Sequence, residues 1–202
     1  MMGGSPLNVS RETLSKLDGF GKLVQKWTVK INLISKLSAE DLWERHILDS
    51  AQIFELAPSK GRWVDLGSGG GFPGIVVAIL SQGANSDHEV ILVESDQRKA
   101  VFLRTAIREL ALNVTVLSER IEEIPPLKAD ILSARALAEL TDLCDFAALH
   151  LAPDGLALFP KGEKWQKEIE SAQDVWSCSF NAIKSRSNPD AAILKIKDIV
   201  RV

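Results

Sequence analysis

The chain has 202 residues, of which 46% are apolar and 25% charged, and a formal net charge of −3. That length suits one domain of roughly 100–200 residues, and the composition excludes a disordered chain and a uniformly basic nucleic-acid binder. The longest unbroken apolar run, Ile75 to Leu80, is six residues, against about 20 needed to span a bilayer. The start, MMGGSPLNVS, has neither a basic n-region nor an apolar core, so no secretory signal is read there. Cys144 and Cys178 are too far apart for a disulfide framework or a zinc motif. A cytoplasmic protein without a metal and without a membrane association is therefore expected.

The first sixty residues read as a helical cap on a domain comprising residues 1–202. Leu14, Leu17, Phe20, Val24, Trp27, Ile31 and Ile34 recur at spacings of three and four, a helical stripe with Gly19 and Gly21 as candidate break points. Ser38 with Asp41 forms an S-x-x-D start for a second helix, Asp41 to about Leu56, closed by Pro58 and Gly61. From Arg62 the pattern alternates. Strands are expected at Trp63–Leu66, Glu89–Glu94, Val114–Leu117, Asp130–Ser133 and Leu156–Phe159. Helices are expected at Ile75–Leu80, Gln97–Leu110, Glu139–His150 and Glu163–Val175. Cys178–Ile183 and Ala191–Ile196 close the chain as a strand pair. The alternation predicts an α/β, Rossmann-like, doubly wound sheet of about seven strands, with right-handed crossovers and a final antiparallel pair.

The strongest local signal is Val64-Asp65-Leu66-Gly67-Ser68-Gly69-Gly70-Gly71-Phe72-Pro73-Gly74, a strand end, a glycine loop and a helix start. Ligands of open parallel sheets bind at such carboxyl ends. Gly69 to Gly74 matches G-x-G-x-x-G, the string that seats a pyrophosphate on a helix N-terminus. Asp65, Gly67 and Gly69 also match D-x-G-x-G. An acid beside the loop suits the cationic amino group and sulfonium of S-adenosyl-L-methionine better than it suits a pyrophosphate, and this reading is favoured over a dinucleotide. Glu94, after the second strand, can accept from a ribose diol of either cofactor. A loop serving only a tight turn would not need so many glycines.

The rest of the chain narrows the chemistry. No Asn/Asp-Pro-Pro-aromatic tetrad follows the fourth strand, where Ser133-Ala134-Arg135-Ala136 stands instead. Cys144 and Cys178 lack the setting of a nucleophile and read as small core residues. His46, His88 and His150 are scattered and form no metal cluster. A methyl transfer that needs no protein nucleophile and no proton removal, such as one to guanine N7, is consistent with these absences.

Several blocks in order, from Trp27 to Lys197, resemble the RsmG (GidB) family of bacterial 16S rRNA guanine-N7 methyltransferases. Asn32-Leu33-Ile34-Ser35 is similar to its N-L-T-S segment, with Ile34 for the usual Thr. Arg45-His46-Ile47-Leu48-Asp49-Ser50 resembles its R-H-I-L-D-S block, and Asp65–Gly74 its glycine loop. Arg98-Lys99 with Phe102-Leu103, Arg135-Ala136 (with Ala134 where Ser is usual) and Lys161-Gly162 complete the set.

The resemblance implies that Gly67 and Phe72 line an S-adenosyl-L-methionine pocket in which Glu94 meets the ribose. Asp65, Gly69 and Gly71 belong to the same loop. Ile121 and Glu122 would flank the adenine, and Arg135 would sit at the active-site mouth, positioning the reactants. The substrate would be 16S rRNA or the small ribosomal subunit, and the enzyme a monomer. A small-molecule methyltransferase, an NAD-binding oxidoreductase and a noncatalytic RNA-binding module are the alternatives. His46 and Asp49 could instead hold the cap to the sheet, and Lys161 could neutralise a helix end.

Residues 1–40 carry six Lys or Arg against three acids, +3 within a −3 chain. Lys22, Lys26 and Lys30, spaced by four, would form one helical row. With Arg45 and Lys161 they are the candidate RNA contacts, since phosphate binding needs only a local basic patch.

Overall fold

The computed structural model describes residues 7–35 and 41–202. The expected start signal at Ser38 lies outside the described residues.

Helix α1 spans Arg11–Thr28, and its first turn is capped by Ser10, whose Oγ accepts from the Thr13 amide at 3.1 Å. It runs unbroken through Gly19 and Gly21. The missing side chains let neighbours approach: a Cβ on Gly21 would lie 3.3 Å from Leu42 and one on Gly19 3.4 Å from Leu110. The stripe therefore ends sooner than its spacing implied, and Ile31 and Ile34 fall beyond the helix.

The second helix is present but wound in two ways. Trp43–Leu48 is a wide π-helical stretch, and α2, Asp49–Glu55, continues it with α-helical winding. Such widenings often occur at functional sites.

The sheet comprises β1 (Lys60–Leu66), β2 (Asp87–Val93), β3 (Val114–Leu117), β4 (Ala129–Ala134), β5 (Leu151–Lys161), β6 (Trp176–Lys184) and β7 (Ala192–Arg201). Helices α3 (Gly74–Gly83), α4 (Gln97–Glu109), α5 (Leu140–His150) and α6 (Trp165–Gln173) connect them. Strand order is β3-β2-β1-β4-β5-β7-β6. Strands β1 to β5 pair in parallel, while β7 runs antiparallel to both β5 and β6. The expected seven strands with an antiparallel close are thus observed, and β7 is the one reversed strand. The chain winds outward from β1 toward β3, then restarts beside β1 at β4. The β1–β4 boundary is the switch point where such sheets bind ligands.

Both faces of the sheet are buried. On one, α1, α2, α3 and α4 cover Trp63, Leu92, Ile131 and Leu158 with Phe20, Val24, Ile47, Ile53 and Phe102. On the other, α5 and α6 cover Val64, Leu66, Leu132 and Phe159 with Leu143, Cys144 and Ala172. Side chains alternate along each strand, so Trp63 and Asp65 share the cap face of β1, as Ile131 and Ser133 do on β4.

Candidate active site

Five segments converge at the carboxyl ends of the parallel strands. Gly67 follows β1, Glu94 follows β2, Ile121 and Glu122 follow β3, Arg135 follows β4, and Lys161 ends β5. Two clefts open there. One, of about 280 Å³, is lined by Gly67, Glu94, Lys99, Ile121, Glu122 and Leu137. The other, of about 660 Å³, is lined by Arg45, His46, Asp49, Arg135, Lys161 and the β6–β7 loop with Ser185 and Ser187. Ala136 lines both, so they meet directly after β4. It holds a left-handed φ of 52°, a conformation that disfavours larger L side chains.

The glycine loop is shaped from below and above. Gly67 has φ +62°, and a Cβ there would lie 2.6 Å from Leu137 Cδ1. The Gly69 amide donates to Glu94 Oε2 at 2.8 Å, and the Asp96 amide donates to Oε1 at 2.8 Å, so Glu94 ties the loop to the start of α4. Gly71, φ +83°, is buried against Phe20 and Ile75 and lines neither of these two clefts. Leu33 of the Asn32–Ser35 block packs over Gly70.

Asp65 differs from expectation. Its carboxylate faces the core beneath the loop, not the cleft, and is fully buried. Ser133 Oγ donates to Oδ1 at 2.7 Å and the Gly74 amide to Oδ2 at 3.2 Å. Trp63 Nε1 in turn donates to Ser133 Oγ at 2.9 Å. The cause is register: Asp65 pairs with Ser133 across β1 and β4 on the cap face. Burial pushes the Asp65 carboxyl up to about 6 from 3.8, against the opposing hydrogen bonds from Ser133, Ser68 and Gly74. Native Asp65 thus keeps its proton to higher pH than it would in the unfolded chain, and its contribution to stability is full below pH 4 and lost as pH rises through 6. The loss amounts to about 3 kcal/mol by pH 8. Because the depressed His46 pKa pulls the parent's pH profile the other way, the difference is what reports Asp65: by urea denaturation, Asp65→Asn is expected to gain about 2 kcal/mol relative to the parent between pH 4.5 and pH 8.

Phe72 is also a floor rather than a wall, 4% exposed. Its ring packs on Phe20 at 5.1 Å, His46 stacks on it at 4.9 Å, and the Arg135 guanidinium carbon lies 5.2 Å from its centroid. The cap, the glycine loop and β4 therefore lock together at one ring.

His46 carries both ring nitrogens buried and without a hydrogen-bond partner. Burial, then Arg135 and Arg45, holds its pKa down at about 3, so the ring is neutral at physiological pH. Read from sequence as one of three scattered histidines, it instead lines the second cleft. His88 is structural: Nδ1 meets Ser81 Oγ and Nε2 meets the Pro58 carbonyl, both at 2.9 Å. His150 donates from Nε2 to the Ile121 carbonyl at 3.0 Å, pinning the segment that lines the first cleft. Glu122 is exposed, with Arg120 3.6 Å away.

Arg135 is 16% exposed, donates to the Arg45 carbonyl at 3.3 Å and lies 3.9 Å from Asp49 Oδ2. Burial lowers its pKa, while Asp49 and Asp65 oppose that. Asp49 is placed by its β6–β7 partners: Ser185 and Ser187 hydroxyls both donate to Oδ1 at 3.2 Å. These serines were not legible as site residues, since they lie more than 130 positions away in sequence.

The candidate RNA contacts divide. Lys22 and Lys26 are exposed on α1, and Arg45 is exposed near Asp41. Lys30 is exposed but lies in the turn after the helix, so the row of three is a pair plus one. Lys161 is not a free surface cation: its side chain is 9% exposed, bound to Glu168 at 2.5 Å and the Ala138 carbonyl at 2.8 Å. Glu168 also accepts from the Leu140 amide at 3.0 Å, so Lys161 braces the segment between β4 and α5.

Cys144 is buried and its thiol is pushed up to about 12 by burial, the state of an inert core residue. Among the described residues no group of three or more His, Cys, Asp or Glu could hold a metal, and no helix is long and apolar enough to cross a membrane. A larger groove, about 960 Å³, opens at the opposite rim of the sheet. Its Arg62 is already paired with Glu89 at 2.9 Å and its Asp130 with the Arg62 amide at 2.7 Å. The carboxyl-end clefts, where the topology seats ligands, are the candidate site.

Known proteins carry the same pattern. The family described as rRNA small subunit methyltransferase G (GidB) matches residues 13–191. The chain belongs to the GidB family. The Ruegeria pomeroyi protein named ribosomal RNA small subunit methyltransferase G is 55% identical, over 97% of this chain and 96% of its own length. The Gluconobacter oxydans protein of the same name is 47% identical over 96% and 98%. Among solved structures, an S-adenosylmethionine-dependent methyltransferase from Aquifex aeolicus superposes with TM-score 0.59 at 16% identity, covering 80% of this chain and 94% of that one. A putative S-adenosyl-L-methionine-dependent methyltransferase from Methanococcus maripaludis does so with TM-score 0.58 at 13% identity, covering 96% and 97%. Both likenesses show the fold.

Proposed function

We propose that this GidB protein transfers a methyl group from S-adenosyl-L-methionine to N7 of a guanine in 16S rRNA, within the cytoplasm. The observation that carries the reading is the meeting of two clefts at Ala136, one suited to a cofactor and one to a base, in a chain of this family.

The residues of the smaller cleft fit the cofactor. Each Glu94 oxygen accepts one backbone amide and keeps a second lone pair for a ribose hydroxyl. Gly67 leaves the backbone open, Ile121 offers an apolar side for adenine, and exposed Glu122 can accept from its amine. When bound, the cofactor supplies a methyl on a sulfonium; the N7 lone pair takes it, the carbon–sulfur bond breaks and the purine becomes cationic. No proton leaves, so no general base is needed. The chain's own part is placement and exclusion of water. Lys161 and His150 hold the segments beside both clefts, and the Phe72 floor fixes Arg135.

The test is mass spectrometry of small-subunit rRNA from cells with and without the gene. Loss of one 7-methylguanosine is expected, restored by the parent sequence. An unchanged modification profile would reject the reading.

Lys22, Lys26 and Lys30 supply the RNA-facing cations of the cap in this reading. Reversing all three to Glu is expected to weaken rRNA binding on the order of tenfold or more at moderate salt and to flatten its salt dependence. Calorimetric cofactor affinity should stay as in the parent. Retained RNA binding in the triple variant would move the interface elsewhere.

A further inference from the structure

The larger cleft holds a carboxylate and a guanidinium side by side, both mostly withdrawn from solvent. Asp49 is 14% exposed and Arg135 16%, with Nη1 3.9 Å from Oδ2. Neither is free to turn. Asp49 is held by two serine hydroxyls, and Arg135 by the Arg45 carbonyl and the Phe72 face. Arg135 immediately precedes Ala136, where the cofactor cleft begins. Ala136 joins the two clefts and Arg135 is its chain neighbour, so in the proposed complex the order from the larger cleft to the smaller is acceptor, donor, methyl source.

The rim of guanine presents its groups in that same order. The N2 amine and N1–H are donors, O6 is an acceptor, and N7 follows with its lone pair. Adenine presents the reverse at the first two stations: N1 is an acceptor and N6 is a donor. A carboxylate would then face a lone pair, and a guanidinium would face an amine.

We infer that Asp49 and Arg135 together read the target base as guanine, Asp49 accepting from N1–H and N2–H and Arg135 donating to O6, so that N7 alone is turned toward the methyl donor. This rests on the function proposed above. The carboxylate suits the task because, among the described residues, Oδ2 accepts no hydrogen bond, while Oδ1 takes two serine hydroxyls. The His46 ring lines the same cleft but buries both nitrogens, so its part is to back the Phe72 floor on which Arg135 rests.

The experiment compares small-subunit rRNA carrying guanosine at the methylated position with the same rRNA, made by splinted ligation, carrying inosine, which lacks only the N2 amine. Each is offered free and assembled into subunits, and kcat/KM for methyl transfer is measured. The parent enzyme is expected to favour guanosine by about tenfold to a hundredfold. In Asp49→Asn, transfer to guanosine should fall by a similar factor while the guanosine-to-inosine ratio collapses toward one. Cofactor affinity, measured by calorimetry, should stay within about threefold and reports that the variant is folded. Equal use of both rRNAs by the parent would overturn the inference and leave the proposed function standing. A variant that loses both substrates in equal proportion would also overturn it, reducing Asp49 to a tether. No transfer by the parent to the guanosine rRNA would remove the proposed function and the base reader together.

Discussion

Replacing Glu94 with Ala is expected to lower affinity for S-adenosyl-L-methionine by about a hundredfold or more, since hydrogen bonds to charged groups contribute roughly 1.5–3 kcal/mol each. Two effects act in one direction. The Gly69 and Asp96 amides lose the carboxylate that holds the glycine loop against the start of α4. The ribose diol loses its acceptor in the proposed complex. Asp96 caps α4 through the Arg98 amide at 2.8 Å and the Lys99 amide at 3.3 Å, so a looser Asp96 also loosens that helix. Glu94→Gln keeps the shape and one acceptor, and an intermediate loss of about tenfold is expected. Titration calorimetry with S-adenosylhomocysteine measures both, with a thermal melt to show that each variant is folded. Affinity within threefold of the parent in Glu94→Ala would remove this carboxylate from the pocket.

The second large effect concerns stability. Ser133→Ala is expected to lower unfolding free energy by about 2–4 kcal/mol, because a buried donor left without a partner costs about 1–3 kcal/mol and a lost bond to a buried carboxylate adds to it. Ser133 is the middle of a buried chain: Trp63 donates to it, and it donates to Asp65. Alanine leaves the indole N–H stranded beneath the cap and removes one of the bonds that restrain the Asp65 carboxyl. Its pKa should rise further, so the deficit should widen as pH increases. Urea midpoints at pH 6 and pH 8, with an unchanged denaturant slope, would register both parts. A deficit below about 1 kcal/mol would mean that water or a rearranged Trp63 replaces the hydroxyl.

These two variants separate functions that the glycine motif fuses in sequence. Asp65 and Glu94 are both acids at strand ends beside the loop. The first faces the core and braces the strand below it, while the second faces the loop and the smaller cleft. Asp65 faces the core by alternation along β1, whereas Glu94 lies just past the end of β2 and is turned to the loop by the Gly69 and Asp96 amides. β1 begins at Lys60 rather than at the first apolar residue, and Asp65 falls on the cap face with Trp63.

Local pattern by itself determined the succession of strands and helices, the glycine turn after the first strand, and the linked blocks that mark the family. Each of these depends on residues a few positions apart, through backbone geometry and hydrophobic period. Only the tertiary structure decided that Lys161 is captured by Glu168, that α1 passes through two glycines, and that Asp49 meets both Arg135 and the β6–β7 serines. Those outcomes depend on which polar groups the packing of distant elements brings within hydrogen-bonding distance. A one-dimensional pattern records what each residue can offer, and the folded chain alone settles which offer is taken.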